Sequence, residues 1–391
     1  MTVAIVGGGL GALRTAESLI GAGYEGEVLV ISDEKHLPYN RPPLSKEALK
    51  GGIDAATLEF KRKPIVDSVD WILGDAAASV SFADKSLTLE SGRQIAFDGL
   101  VIATGIRPRQ LTVPGPLAGR HTLRTIEDAQ SLREAMVGAG SIVVVGAGFI
   151  GCEVAATARS LGLEVQVVAI DAQPMIAAIG FDLGSEMRRR HEIKGVEFQL
   201  GVGIDAFLGE GEASGVRLSD GREIFGEVIV EAIGCIPNVE WLGGSGLDLS
   251  NGVLVDASMR VVDCEVPAVA VGDIARYPHE LIDTSPRRIE HWNLPTETGR
   301  RAGKTLASLL AGETPVIEPI TFLPSFWSDQ YEYNIQSFGI PSISDRQRLA
   351  FGSWDGPLVV EYLRGDSLVG VVGIDSVPQL VPYRKQLLNK A

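Results

Sequence analysis

The sequence predicts an α/β fold: two nucleotide-binding βαβ domains followed by a small α+β domain. Three observations predict it. The chain opens on a strand, glycine turn, helix and second strand, repeats that pattern before its midpoint, and closes on short strands after a proline-bounded stretch at 315–319. At 391 residues it is also too long for one ordinary core.

The first unit runs from Thr2 to Glu34. Val3-Ala4-Ile5-Val6 reads as a buried parallel strand, Gly7-Gly8-Gly9-Leu10-Gly11-Ala12 turns it into a helix, and Val28-Leu29-Val30-Ile31 returns beside it before Ser32-Asp33-Glu34. Gly7 permits the tight turn, Gly9 lets the backbone approach a pyrophosphate, and Ala12 is small enough for helix and strand to pack closely. Free N–H groups at the helix start face the phosphates. Glu34 is placed to accept hydrogen bonds from an adenosine ribose, with Asp33 as the alternative. A glycine turn alone would also suit a structural corner, but a complete βαβ unit ending in acids favours the dinucleotide reading.

In the second unit the strand Ser141-Ile142-Val143-Val144-Val145 precedes a full G-x-G-x-x-G at Gly146, Gly148 and Gly151, and Val165-Gln166-Val167-Val168 returns. Two Rossmann-like units imply two dinucleotides, and electron transfer between them is the simplest reason to hold both.

Bulk properties narrow the class. A net charge of −15 and a pI near 4.9 argue against an extensive nucleic-acid surface. No apolar run approaches the roughly 18 residues of a membrane span. The first strand begins too early for a signal peptide, so a cytoplasmic protein is expected. Cys152, Cys235 and Cys264 are widely spaced, with no C-x-x-C, and read as buried thiols in a reducing compartment.

Between these landmarks, residues 35–46 form a proline-stiffened connection in which Arg41 is suited to a pyrophosphate and Lys46 to a cofactor's reactive ring. Residues 70–98 read as a small β-meander. Leu100-Val101-Ile102-Ala103-Thr104-Gly105 is a buried strand with a small-residue exit, followed by Ile106-Arg107-Pro108-Arg109, and Ala232-Ile233-Gly234 repeats that exit. Thr125 is a plausible helix N-cap. Residues 196–231 alternate strands around Ser219-Asp220-Gly221-Arg222. Val269-Ala270-Val271-Gly272-Asp273 reads as a strand ending at the head of a helix, where Asp273 could be an N-cap. Glu153 could serve the dipole of the second nucleotide helix. Trp292, Trp327 and Tyr331 could be packing residues, and Arg300, Arg301 and Lys304 a solvated helix face.

The segment His36-Leu37-Pro38-Tyr39-Asn40-Arg41-Pro42-Pro43-Leu44-Ser45-Lys46, with Ser325-Phe326-Trp327-Ser328-Asp329-Gln330-Tyr331, resembles the ferredoxin reductases that serve cytochrome P450s and ring-hydroxylating dioxygenases. The likeness runs from end to end. It implies an FAD domain at 1–110 and 233–314, interrupted by a nicotinamide domain at 111–232, then a C-terminal α+β domain at 315–391. FAD, held non-covalently, would take hydride from NADH and reduce a [2Fe–2S] ferredoxin.

The resemblance also implies residue roles. Thr104, Gly105 and Arg107 would lie by the cofactor, Asp273 would bind the FAD ribitol, and Lys46 would pair with Glu153 beside the flavin N5. Trp292 would stand near the flavin on the acceptor side. Arg288, Arg300, Arg301 and Lys304 would form a local basic patch steering an acidic ferredoxin. Residues 35–60 carry no cysteine, which excludes a dithiol relay at that location. One departure stands out: Ala169 occupies the position of the acid expected to hold the NADH ribose, leaving Asp171 to serve. No arginine between Ala169 and Gln173 offers to bind a 2′-phosphate, so NADH is expected over NADPH. Related architectures reduce rubredoxin, monodehydroascorbate or quinones, and a slow-turnover flavoprotein like the apoptosis-inducing factors is an alternative of another class.

Overall fold

The computed structural model describes residues 1–52, 54–279 and 283–389. The first sheet holds five strands in the order Ala268–Ala270, Gly99–Ile102, Thr2–Val6, Glu27–Ser32 and Asp70–Leu73. All neighbours are parallel. Val3, Ala4, Ile5, Leu100, Val101 and Ile102 have no exposed surface. A sheet covered on both faces has no polar side to alternate with, which is why these strands appear in the sequence as unbroken apolar runs. Asp70–Leu73 belongs to this parallel sheet, so the antiparallel meander is confined to Ala77–Ser81, Ser86–Leu89 and Gln94–Ala96.

The first helix, Leu10–Gly21, is covered by Leu294–Leu310. Gly299 and Gly303, one turn apart on the covering helix, let backbone meet backbone: a Cβ on them would stand 2.8 Å from the Gly11 carbonyl oxygen and 2.6 Å from the Leu19 nitrogen.

The second sheet repeats the design with Val196–Leu200, Glu164–Ala169, Ser141–Val145, Val228–Glu231 and Arg120–His121 in parallel. Val196–Leu200 therefore also leaves the alternating set, whose members are Ile204–Leu208, Gly215–Leu218 and Glu223–Phe225. Thr125 caps the helix Ile126–Met136 in a capping box with Asp128. The chain enters and leaves this domain side by side, through the antiparallel pair Ile106–Pro108 and Cys235–Pro237. Thr104 Oγ1 donates to the Asn238 carbonyl and Asn238 Nδ2 to that of Thr104, fastening the two exits together.

The C-terminal domain is an antiparallel sheet, ordered Ser325–Gln330, Tyr333–Gly339, Ser367–Ile374, Leu358–Arg364 and Arg346–Gly352. Helix Val377–Leu388 buries Leu380 and Leu387 against one face. The other face shares a core with Cys152, Met175, Ile179, Leu183 and Met187 of the second domain. Among the described residues no helix is long and apolar enough to cross a membrane.

Candidate functional site

Both glycine turns are built alike. Gly7 has φ +113°, and a Cβ there would stand 2.2 Å from the Ala103 carbonyl oxygen; Gly146 has φ +107°, with Ala232 O at 2.3 Å. This close approach explains the small residues at both strand exits. Gly9 and Gly148, two residues on, have nothing within 4 Å of an added Cβ, and each is a helix N-cap without a capping side chain. The unmet N–H groups and the open space in front of them form a cradle suited to phosphate, as dinucleotide binding requires.

A cavity of about 480 Å³ joins these turns. That volume falls in the roughly 300–1,000 Å³ range of small-molecule sites. Gly7, Gly9, Asp33, Glu34, Arg41, Lys46, Thr104, Gly105, Gly148, Glu153, Asp273 and Trp292 all line it. Ala12, Gly146 and Gly151 stand behind the wall as packing residues: Ala12 is fully buried, and a Cβ on Gly151 would stand 2.1 Å from the Gly146 carbonyl oxygen.

At one end Glu34 accepts from the Tyr39 hydroxyl and from Arg41, each at 2.5 Å, and Arg41 also donates to the Arg124 carbonyl. Burial opposes the charge on Arg41, but Glu34 and Tyr39 outweigh it and hold its pKa above the usual value. Burial, above all, pushes the Tyr39 phenol up, keeping it a donor. Arg41 thus brings positive charge to the cavity wall while anchored by Glu34. Each Glu34 oxygen keeps a lone pair for a sugar hydroxyl.

In the middle, Lys46 Nζ lies 2.8 Å from Glu153 Oε2 and 3.2 Å from the Pro42 carbonyl. Pro42 starts the 3-10 turn Pro42–Ser45 that delivers Lys46. Glu153 and Thr157, one turn apart on helix Phe149–Ser160, grip the preceding residue: Ser45 Oγ donates to Glu153, and Thr157 Oγ1 donates to the Ser45 carbonyl. Both members of the pair are nearly buried, with side chains 11% and 5% exposed, so their charges act with little screening.

Aromatic rings close the other end. Trp292 is 42% exposed, donates from Nε1 to Asn40 Oδ1, and meets Trp327 edge to face at 5.2 Å; Phe149 and Phe326 are 4.8 Å apart behind them.

The structure places several of the expected residues differently. Arg107 turns away from the cavity to Glu240 (2.6 Å) and Asn238, because strand alternation sends Ile106 and Pro108 inward instead. Asp273 heads no α-helix: Gly272–Ile274 is one 3-10 turn that continues into strand Ala275–His279. The helix meeting Gly272 is Leu294–Leu310, whose Thr298 hydroxyl accepts from the Gly272 N–H. Asp273 itself pairs with Arg124 at 3.3 Å. Two cations of the basic patch are committed to the fold. Arg288 binds Glu290, Asn251 and the Asp273 carbonyl, while Arg301 ties Ala257 to the linker at Glu318 and Pro319. Arg300 and Lys304 are exposed. Asp171 is exposed beyond the end of strand Glu164–Ala169 and does not line the cavity.

Cys152 and Cys264 are buried, but Cys235 is half-buried at the cavity wall. Burial, with Glu290 next, pushes its thiol up and away from the reactive thiolate. Sequence reasoning passed over Arg124, Ser45 and Ser328. Arg124 adjoins the recognisable Thr125 cap; the two serines lie inside the two family-like segments, which do not single them out as contacts.

The donor set fits the cofactors that two such turns require: acids for the sugars, open amides for the phosphates, and a buried cation among aromatic rings for a redox-active ring. Comparison with known proteins agrees. The model of the pyridine nucleotide-disulphide oxidoreductase family matches residues 1–299, and that of a reductase C-terminal domain matches 325–391. A probable ferredoxin reductase of Castellaniella defragrans is 32% identical over all of this chain and 94% of its own length. The putidaredoxin reductase of Pseudomonas putida is 31% identical over 99% and 91%. Among solved structures, the ferredoxin reductase for the CYP199A2 system of Rhodopseudomonas palustris superposes with a TM-score of 0.90 at 33% identity, covering 99% of this chain and 95% of that one. The reductase in a covalent putidaredoxin reductase–putidaredoxin complex gives 0.90 at 29% identity, covering 99% and 93%. With both turns, the cavity between them and a family match over three quarters of its length, the chain belongs to the pyridine nucleotide-disulphide oxidoreductases, flavoproteins that use FAD and NAD(H).

Proposed function

We propose that the protein is an NADH-dependent reductase that passes electrons through FAD to a [2Fe–2S] ferredoxin feeding a P450 or ring-hydroxylating oxygenase. The observation that carries this reading is the Lys46–Glu153 pair, set in a cavity that reaches both nucleotide turns. FAD, when bound, accepts two electrons as hydride and releases them singly. Lys46 supplies fixed positive charge where negative charge collects on reduction, and Glu153 holds that charge in place without solvent reorganisation. Arg41, Glu34 and Asp273 orient the rest of the cofactor. Residues 35–60 carry no cysteine, so electrons leave without a dithiol relay at that location.

The partner docks at the mouth formed by Trp292 and Trp327. Arg300 and Lys304, one turn apart on the neighbouring helix, are the cations best placed to steer an acidic ferredoxin. Asp171 receives the NADH ribose after a local turn adjustment, with NADH favoured over NADPH.

Anaerobic stopped-flow mixing with NADH, then with NADPH, followed at the flavin absorbance and completed by added ferredoxin, tests the reading. Fast reduction by NADH with saturable, salt-sensitive ferredoxin reduction supports it. Flavin reduction without electron transfer to any ferredoxin would move the assignment to a small organic acceptor. Slow reduction by both nucleotides would overturn it.

A further inference from the structure

The Lys46–Glu153 pair is completed from the C-terminal domain. Ser328, fully buried on strand Ser325–Gln330, lies 2.6 Å from Glu153 Oε1, the oxygen facing away from Lys46. Oε2 is shared by Lys46 Nζ and Ser45 Oγ. The carboxylate is therefore held at both ends, and rotation about its terminal bond would break three contacts at once.

A serine hydroxyl is a rotor that can donate or accept, so its direction must be set by something else. Gln330 sets it. Two residues along the strand and on the same face, Gln330 sends Nε2–H to Ser328 Oγ at 3.0 Å, which fills the acceptor side and leaves the hydroxyl proton for Glu153. Gln330 is oriented in turn by His191, fully buried on helix Ile176–Ile193, whose Nε2 lies 2.7 Å from Gln330 Oε1. An amide oxygen only accepts, so Nε2 carries the proton, and Nδ1 is left to receive the Tyr331 hydroxyl at 3.5 Å. The chain of donors runs one way, from Tyr331 through His191, Gln330 and Ser328 to Glu153.

We propose that Ser328 is a positioning residue for the Lys46–Glu153 pair, with its hydroxyl aimed by Gln330 and His191, so that docking of the C-terminal domain fixes the charge at the redox centre. The proposal rests on the reductase reading for its kinetic consequence alone. The parts come from three regions: Ser45 and Lys46 from the connection after the first βαβ unit, Glu153 from the second nucleotide helix, and Ser328 from the last domain. Only the assembled protein holds the pair rigidly.

The test compares Ser328→Ala, Ser328→Thr and, as a packing control, Ser337→Ala. Ser337 is fully buried in the same sheet, and its hydroxyl has no partner among the described residues. Two readouts are taken on the purified full-length flavoprotein: the rate at which an amine-acylating reagent modifies Lys46, resolved by peptide mass spectrometry without nucleotide, and the rate of flavin reduction by NADH. Losing one hydrogen bond to a buried carboxylate is expected to slow flavin reduction roughly 10-fold in Ser328→Ala, with NADH saturation unchanged, and to raise Lys46 acylation several-fold. Ser328→Thr, which keeps the hydroxyl, restores both. Equal Lys46 acylation in Ser328→Ala and wild type overturns the proposal, as does the same change in Ser337→Ala. If wild type itself is not reduced by NADH, the reductase reading falls, while the acylation rates still decide the role of Ser328.

Discussion

Gly146 and Gly148 stand two residues apart, yet a side chain added to each is expected to do opposite things. At Gly146 the backbone is left-handed at φ +107°, and a Cβ would stand 2.3 Å from Ala232 O and 2.6 Å from Ala232 C. The conformation penalises an L-residue by about 1–2 kcal/mol. The clash falls on backbone at the end of a central strand, and relieving it adds roughly 1–3 kcal/mol. Gly146→Ala should therefore destabilise by about 2–5 kcal/mol and lower Tm by several degrees. Gly148 has φ −73° and ψ −173°, extended backbone open to any residue, and its Cβ would meet nothing within 4 Å. Gly148→Val should leave Tm unchanged and fill the space in front of the helix amides. Losing one charge-assisted phosphate hydrogen bond there, worth about 1.5–3 kcal/mol, weakens NADH by roughly 10- to 100-fold. Differential scanning fluorimetry and the NADH dependence of flavin reduction separate the two effects. If Gly148→Val saturates at wild-type NADH concentrations, the second turn is not the phosphate cradle. If its Tm falls as far as that of Gly146→Ala, the reasoning from open space is wrong.

Lys46→Met should slow flavin reduction by NADH about 100-fold, the scale of removing one fixed charge donor from a redox or oxyanion centre, and an unchanged stopped-flow rate would remove Lys46 from the mechanism. Glu231→Ala strands Arg120, whose side chain is 1% exposed and otherwise held by the Leu111 carbonyl and the Phe207 ring. Breaking such a pair is expected to destabilise by about 3–5 kcal/mol in urea titrations, and a loss below 1 kcal/mol would contradict the buried-pair argument. Burial holds His191, His279 and His291 at pKa values of about 4, below the ordinary 6.5. A depressed base binds its proton more readily unfolded, so stability is full above pH 6.5 and is lost as pH falls towards 4. Unfolding in that window should take up close to three protons at these sites; His191→Gln should remove one of them, and an unaltered pH slope in that variant would refute its buried neutral state.

The two βαβ units were legible because their chemistry is local. Turn, cradle and returning strand lie within some thirty residues, and each strand buried on both faces announces itself as an apolar run. What the sequence hid was set by register and distance. The resemblance implies Arg107 as a cofactor contact, but one step of strand alternation points it at Glu240. Asp70–Leu73 and Val196–Leu200 looked like their antiparallel neighbours because a short strand carries no mark of its partner's direction. Arg288 and Arg301 counted as surface charge until the fold supplied carbonyls for them, since composition cannot tell a solvated guanidinium from one fastening a linker.

Ser328 marks the same limit at the Lys46–Glu153 pair. A serine in a C-terminal strand has no sequence link to a glutamate 175 positions earlier, and only the docking of three regions brings them within a hydrogen bond. The resemblance points to Lys46 and Glu153 by motif, whereas the residues that hold them are recognisable only by contact. Ser45, Thr157, Ser328 and Gln330 are each ordinary polar residues that became unusual on burial, where most donors find an acceptor. Lys46, Ser45 and Ser328 meet both oxygens of Glu153, and the contacts continue from Ser328 through Gln330 and His191 to the Tyr331 hydroxyl. This network ties the Lys46–Glu153 pair to the seam between the second domain and the last one. Loosening this seam should disturb Lys46 before it disturbs either nucleotide turn.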